Sequence, residues 1–381
     1  MTERYFATCP RGLEGTLVTE LGAIGAIDAA GVDGGVGFAG GFDVAYRANL
    51  ESRIASRVLW RVGSGRYRNE QDVHALAKSI DWSKHFRAER TLRVDVAATR
   101  SPLTSLEFAT LTIKDAVCDR FRDDIGTRPS VDKRAPDVRV AAHLTADEAT
   151  FYLDTSGEPL FKRGYRRDTE EAPLRENLAA GLIALAGWKP ESAFLDPMCG
   201  SGTIAIEAAL IAADHAPGLA RTFGFQKLAW FDGPAWQRMK QSARDRIRAA
   251  PPSPLIHASD IASQAVAKAM SNAKAAGIAD FITIGQADFL TRDAPAPQGT
   301  LIANPPYGVR LSDQQEITRM YPLIGDALKK RFAGWTAWLL SADKTLPKWL
   351  HLKADSRTPL HNGALDCRLY QYRIIAGRML E

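Results

Sequence analysis

A glycine turn flanked by acidic residues gives the first chemical lead. The run DPMCGSGT, residues 196–203, lies between an apolar strand pattern and an apolar helix pattern. Gly200 and Gly202 free the backbone to turn tightly and approach a ligand, and the amino end of the helix that follows favours polar or anionic groups. Asp196 heads the turn, and the spacing is not the G-x-G-x-x-G of a phosphate cradle. A carboxylate in that place repels a pyrophosphate and suits an ammonium. Asp260 closes the next strand pattern, where a carboxylate can accept from both hydroxyls of a ribose. Asp288 closes the third, in QADF, where it can accept from an adenine amine while Phe289 packs on the ring. Each aspartate alone reads as a cap or turn residue. Three at successive strand ends, along the switch-point edge of one sheet, read as a ligand site. A fourth strand pattern ends in Asn304-Pro305-Pro306-Tyr307. Proline cannot donate to a β ladder, so the strand stops there and presents an amide and an aromatic ring held by two stiff residues.

The elements that must position these residues alternate after residue 175. Strands are expected at SAFLD, LIHASD, FITIGQAD, TLIANPP, WTAWLLSAD and LYQYRIIA, with helices at GTIAIEAALIAA, SQAVAKAMSNAKAAG and QEITRMYPLIGDALKKRF. That order predicts a Rossmann-like, doubly wound, mainly parallel sheet whose last strand enters antiparallel. An insertion over 214–254 interrupts it, with Trp230, Phe231 and Trp236 as its expected core. The half before residue 160 reads as α+β. Its helix SLEFATLTIKDAVCDRF carries Leu106, Ala109, Ile113, Ala116, Val117 and Phe121 on one face, and DVRVAAHL and ATFYLDTSG form a strand pair. The basic run KRGYRR between the halves suits either a solvated linker or a phosphate contact.

Composition bounds the function. The chain has 381 residues, 45% hydrophobic and 24% charged, which is ordinary for a globular protein of two or three domains. Net charge is +5. Residues 1–160 carry a balance of −2 and residues 161–381 one of +7, so the positive excess sits in the second half. No apolar run approaches the roughly 20 residues that span a bilayer, so no membrane partner is expected. The start, MTERYFATCPRGLE, has no signal-like region, and a cytoplasmic setting is expected. Cys9, Cys118, Cys199 and Cys367 lie far apart and the seven histidines are scattered, so no metal site is expected.

The NPPY run resembles the (D/N)PP(Y/F/W) motif of amino-methylating class I methyltransferases. The glycine loop, Asp260 and Asp288 then resemble that fold's S-adenosylmethionine site. The physical need agrees. A base amine is a poor nucleophile because its lone pair is delocalised into the ring. The Asn304 side-chain oxygen and the Pro305 carbonyl can accept its two N–H groups, while Tyr307 stacks on the flipped base. GYRRDTEEAPLRENLAAGLIALAGW, GLEGTLVTEL, RPSVDKRAPDVRVAAHL, HAPGL and NGALDCRLYQY extend the likeness over nearly the whole chain. It resembles the bacterial THUMP-containing RNA methyltransferases, closest to the type that methylates guanine N2 of 23S rRNA. That resemblance implies a ferredoxin-like segment over 1–60, a THUMP RNA-binding domain over 61–157 and a class I methyltransferase domain over 158–381. It implies catalytic Asn304, Pro305, Pro306 and Tyr307. Cofactor contacts are implied for Pro173, Leu174, Arg175, Asp196, Pro197, Cys199, Gly200, Ser201, Gly202, Thr203, Asp260, Ile261, Asp288, Phe289 and Asn304. Some members of the type carry a second methyltransferase domain after the first; this chain is expected to have only the amine-methylating one. Methylation of tRNA or 16S rRNA, an adenine-N6 methyltransferase and a non-catalytic RNA-binding assembly factor stay open as other readings.

Overall fold

The computed structural model describes residues 2–166, 174–306 and 311–375, with only the backbone of 311–318. The described chain divides into two compact units, one of 1–9, 17–160 and 220–241, the other of 10–16, 161–219 and 242–381.

The first unit holds one antiparallel-rich sheet of seven strands: β1 (Glu3–Thr8), β2 (Ile27–Val32), β3 (Gly35–Gly40), β4 (Arg57–Arg66), β5 (Leu92–Ala98), β6 (Val138–Leu144) and β7 (Glu148–Asp154). Their spatial order is β2-β3-β1-β4-β7-β6-β5. Helices α1 (Glu14–Ile24), α2 (Phe42–Glu51), α3 (Glu70–Lys78) and α4 (Leu106–Ile125) alternate with them along the chain. The expected boundary at residue 60 falls inside β4, which pairs with β1 on one side and β7 on the other. One continuous sheet therefore runs through both expected modules. On α4 the apolar face is buried as expected from Ala109 to Phe121, but Leu106 is 40% exposed, because it stands in the first turn ahead of that face.

The aromatic residues of the insertion pack in one cluster, Trp236 buried and Trp230 and Phe231 half-buried, and the core that cluster joins is that of the first unit. Trp230 stacks on Phe42 at 4.0 Å and on Tyr46 at 5.4 Å, and Trp236 lies 5.1 Å from Phe225. Trp236 lies in the first turn of helix α7 (Gly233–Asp245).

The second unit is the doubly wound sheet. Helix α5 (Glu176–Ala186) precedes β8 (Phe194–Asp196), α6 (Thr203–Ala212), β9 (Ile256–Asp260), α8 (Ser263–Ala275), β10 (Ile282–Gln286) and β11 (Gly299–Ala303). Helix α9 (Leu311–Arg331), β12 (Trp335–Ser341), α10 (Leu346–Trp349), β13 (Ser356–Asn362) and β14 (Leu365–Arg373) complete it. The order is β10-β9-β8-β11-β12-β14-β13, and β8 to β12 are parallel. As expected, β14 enters antiparallel to β12. Strand β13 was not expected, because Pro359 sits in its middle. A central strand would reject that proline; β13 is the edge strand and tolerates it.

That edge is covered by residues 10–16. The His361 amide donates to the Arg11 carbonyl at 3.2 Å, and Leu13 is fully buried against Gly181 of α5. Gly12 has φ +92°, and a Cβ there would collide with the Pro359 carbonyl. Covering an edge strand removes a template for unwanted pairing. Gly12→Ala should therefore cost at least about 2 kcal/mol of stability, from backbone strain plus a clash with rigid main chain. Gly15→Ala, where nothing lies within 4 Å of the new methyl, should be neutral or stabilising by up to about 1 kcal/mol. Urea denaturation of both variants checks the pair, and equal stabilities would refute this account of the covering segment.

Candidate active site

Because β8 to β12 are parallel, their carboxyl ends share one edge, and the expected site residues collect there. Asp196 ends β8, Asp260 ends β9, Asp288 lies two residues beyond β10, and Asn304 directly follows β11. Strands β8 and β11 are hydrogen-bonded neighbours, so Asn304 stands one strand over from Asp196.

Asp196 is 1% exposed, and neither carboxylate oxygen has a hydrogen-bond partner of good geometry among the described residues. Burial pushes its pKa up to about 8. The nearby Asp260 charge adds to the shift, and the backbone amides of Met198 and Ala205 oppose it. The glycine turn that follows is tightly made. Cys199 donates its amide to Ser259 at 2.9 Å, and Gly202 donates to Cys199 at 2.7 Å. Gly200 and Gly202 have φ of +52° and +85°, the left-handed region that glycine enters without penalty. A Cβ on Gly200 would meet nothing within 4 Å, so the loop leaves open space there, whereas one on Gly202 would press on Ala269 at 3.0 Å. The first glycine leaves room at the edge and the second serves the packing of α6 on α8.

The aspartates at the second and third strand ends are turn residues as well as ligand candidates. Asp260 accepts from the Gly200 amide at 2.9 Å and from the Ala262 amide at 3.0 Å, tying the glycine loop to β9. Each oxygen keeps a further lone pair for a hydroxyl. Asp288 accepts from the Leu290 amide at 2.9 Å. Ile261, next to Asp260, is 66% exposed, an apolar side chain set out over the edge. Phe289 corrects an expectation. It is 4% exposed and its ring lies 5.3 Å from Phe332, so its faces are committed to the core and do not line a ligand surface.

Asn304 has its side-chain oxygen buried without a donor among the described residues. Pro305 is buried and Pro306 exposed. Tyr307 and Pro173 lie outside the described residues. Cys199 is buried, and burial together with the carboxylates of Asp196 and Asp260 pushes its thiol well above the ordinary range, so it is no ready nucleophile. Pro197 and Thr203 are buried and Ser201 half-buried within the turn.

The side chains that hold this edge in place were not singled out from the sequence. Arg166 donates to the Leu174 carbonyl at 3.0 Å and the Thr203 hydroxyl at 2.7 Å, and pairs with Glu176 at 3.6 Å. It fastens the segment before α5 to the start of α6. Arg163 is buried against Glu207 at 3.3 Å. The KRGYRR run thus spends Arg163 and Arg166 inside the unit, on carboxylates of α5 and α6. Asn272 of α8 donates to the Ser201 carbonyl at 3.0 Å. Only the basic character of the run was legible; its carboxylate partners lie too far along the chain to be paired by spacing. Among the described residues no group of three or more metal-ligating side chains occurs, and no helix is long and apolar enough to cross a membrane.

Asp196 predicts how stability depends on pH. A carboxyl that keeps its proton to about pH 8 when folded, and loses it near 3.9 when unfolded, binds more protons in the native state across that window. Its stabilisation is complete below about pH 4 and is lost as pH rises towards 8, with a slope of at most about 1.4 kcal/mol per unit. Asp196→Asn should flatten that slope. Urea midpoints of both proteins from pH 5 to 8 test this, and parallel slopes would show that Asp196 is ionised in the fold.

Comparison with known proteins agrees with this architecture. Residues 163–371 match the RMKL-like methyltransferase domain, residues 67–154 the THUMP domain and residues 4–59 the RlmL ferredoxin-like domain. The chain is 40% identical, over 98% of its length, to "Ribosomal RNA large subunit methyltransferase K/L" of Aeromonas hydrophila, covering 54% of that protein. It therefore spans about half the length of the curated relatives it matches. Among solved structures, SMU.472, crystallised in complex with SAH, superposes with a TM-score of 0.89 at 30% identity, covering 99% of both chains. A predicted N6-adenine-specific DNA methylase from Listeria monocytogenes superposes with a TM-score of 0.88 at 30% identity, over 98% of this chain and 97% of that one. With its carboxyl-edge aspartates, its glycine turn and these matches, the chain belongs to the RMKL-like methyltransferase family, carrying THUMP and ferredoxin-like modules ahead of a class I methyltransferase fold.

Proposed function

We propose that this protein transfers a methyl group from S-adenosylmethionine to the exocyclic N2 of a guanine in 23S rRNA. The observation that carries the reading is a pair of acceptors on adjacent strands with no donor among the described residues, the Asp196 carboxylate and the Asn304 amide oxygen. Buried polar groups are expensive unless a partner satisfies them, so each marks a place where a ligand donor belongs. The residues fit the cofactor: an acidic end to β8 for its ammonium, open space over Gly200, Asp260 with spare lone pairs for ribose hydroxyls, and exposed Ile261 for the adenine face. When bound, S-adenosylmethionine supplies an electrophilic methyl whose sulfur leaves as a neutral thioether.

The chain's own residues do the positioning. Asn304 and the Pro305 carbonyl accept the two N–H groups of the base amine, turning its lone pair out of the ring plane. The prolines hold both acceptors fixed, so little reorganisation is needed in the transition state. No histidine or carboxylate lies in the Asn304–Pro306 run, so the nitrogen gives up its proton after attack, when it is strongly acidic. Tyr307 follows in the motif as the stacking ring for the flipped base.

The relatives' name supports large-subunit rRNA as substrate, and the THUMP match supports RNA over DNA. Guanine N2 rests on the family resemblance. The same amine geometry serves adenine N6, as the name of the Listeria structure suggests. An rRNA substrate goes with a cytoplasmic setting.

Mapping modified nucleosides of 23S rRNA from a deletion strain by mass spectrometry should show one N2-methylguanosine lost and restored by the gene. Loss of an N6-methyladenosine instead would sink the guanine assignment. With purified protein, Asn304→Ala should slow single-turnover methyl transfer about 10²–10³-fold, the scale for one preorganised hydrogen-bonding group, while S-adenosylmethionine binds within about twofold of wild type. A nearly active variant would remove Asn304 from the chemistry.

A further inference from the structure

The candidate site occupies one side of the carboxyl edge. Asp288, Asp260, Asp196 and Asn304 stand on or just beyond β10, β9, β8 and β11. The edge continues past Asn304. Ser341, at the carboxyl end of β12, faces Arg368 of antiparallel β14, and Asn362 of β13 faces Leu365. The two-residue turn between β13 and β14, at Gly363 and Ala364, therefore lies at the same edge as Asn304. Strand spacings put it about 10–14 Å to the side of Asn304, and Gly363 stands four residues past Pro359, the residue level with Arg368 and Ser341, so the turn also rises about 13 Å beyond that row.

Two exposed arginines belong to segments that meet this hairpin. Arg175, the residue before α5, is exposed, and its guanidinium lies 4.9 Å over the Phe161 ring. It reaches to 4.0 Å from where a Cβ on Gly363 would stand. Arg11 is exposed on the covering segment, whose carbonyl binds the His361 amide next to the turn. Neither arginine has a carboxylate partner among the described residues. Among the described residues the nearby acids are engaged elsewhere. Glu14 accepts from the Gly12 amide at 2.8 Å, Glu176 pairs with Arg166, and Asp366 pairs with Lys344 at 2.9 Å and with Arg368. Stacking on Phe161 holds the Arg175 fork in one plane, the form in which a guanidinium meets a phosphate.

We infer that Arg11 and Arg175 hold a phosphodiester of the RNA a few nucleotides along the strand from the flipped base, fixing that strand's register at Asn304. The inference rests on RNA being the substrate. It also moves Arg175 from the cofactor side, where the sequence placed it, to the substrate side. A phosphate held at the turn is too far from Asn304 to belong to the flipped nucleotide, and it is within reach of the same strand a few nucleotides away. It engages no base edge, so it sets register and affinity and leaves sequence choice to other groups.

The test uses the full chain, unmodified 23S rRNA transcribed in vitro, and SAH as the cofactor probe. Arg11→Gln and Arg175→Gln should each weaken RNA binding about fivefold at physiological salt. Each should also make the slope of log affinity against log salt shallower by roughly 0.7–0.9, the signature of one lost phosphate contact. Arg175→Lys, which keeps the charge, should retain the wild-type slope. SAH affinity, read by calorimetry, should stay within about twofold throughout. Unchanged RNA affinity and slope in both glutamine variants would overturn the inference. So would an Arg175→Gln protein that loses SAH affinity while RNA binding holds, since that returns Arg175 to the cofactor. A wild-type protein whose RNA binding does not depend on salt would instead overturn the RNA-substrate reading on which the inference stands.

Discussion

The second unit is organised around the cost of burying Asp196. A carboxylate at the end of a central parallel strand, 1% exposed and short of donors, is unfavourable by itself. It persists because its surroundings leave it nowhere to go. Helices α5 and α6 are almost wholly buried on either side of the glycine turn, and Asn272, Asp260 and Arg166 each anchor one atom of that turn. The buried Arg163–Glu207 pair belongs to the same framework. Such a pair adds little net stability, but losing one partner would leave a charge stranded in the core, at a cost of about 3–5 kcal/mol. Unmet hydrogen bonds collect at this edge and are offset by packing behind it.

How much of this could be read from the sequence depended on how local the signal was. The glycine turn, the three aspartates and the NPP run each declare themselves within a few residues, and the strand–helix alternation put them on one edge. Strand β13 escaped because Pro359 breaks the strand pattern and only the edge position excuses it. Phe289 escaped because an aromatic beside a ligand aspartate reads alike whether its ring faces solvent or the Phe332 core. The partners of Arg163 and Arg166 are set by tertiary packing and have no spacing signal at all.

The aromatic insertion shows the same limit. Trp230, Phe231 and Trp236 were legible as core residues. Which core they complete was not, because Phe42, Tyr46 and Trp60 lie some 170–190 positions earlier in the chain. Burying four or five large rings together is worth several kcal/mol, enough to fix where an otherwise polar and basic segment settles. Residues 220–241 thus belong physically to the first unit, although by sequence order they interrupt the second.

The reverse exchange at residues 10–16 decides where the chain can be cut. Leu13 fills the space that Gly181 leaves, and the backbone of residues 11 and 12 closes the β13 edge, so the methyltransferase fold is incomplete without a segment that precedes it by about 150 positions. A fragment beginning at residue 158 would lack that segment, and it would carry 220–241 with its aromatic rings unpartnered. Exposed rings and an open strand edge are both routes to aggregation. A cut at that boundary therefore separates residues that pack together. The smallest chain expected to fold with a complete carboxyl edge runs from β1 through β14, because each unit borrows part of its core from the sequence span of the other.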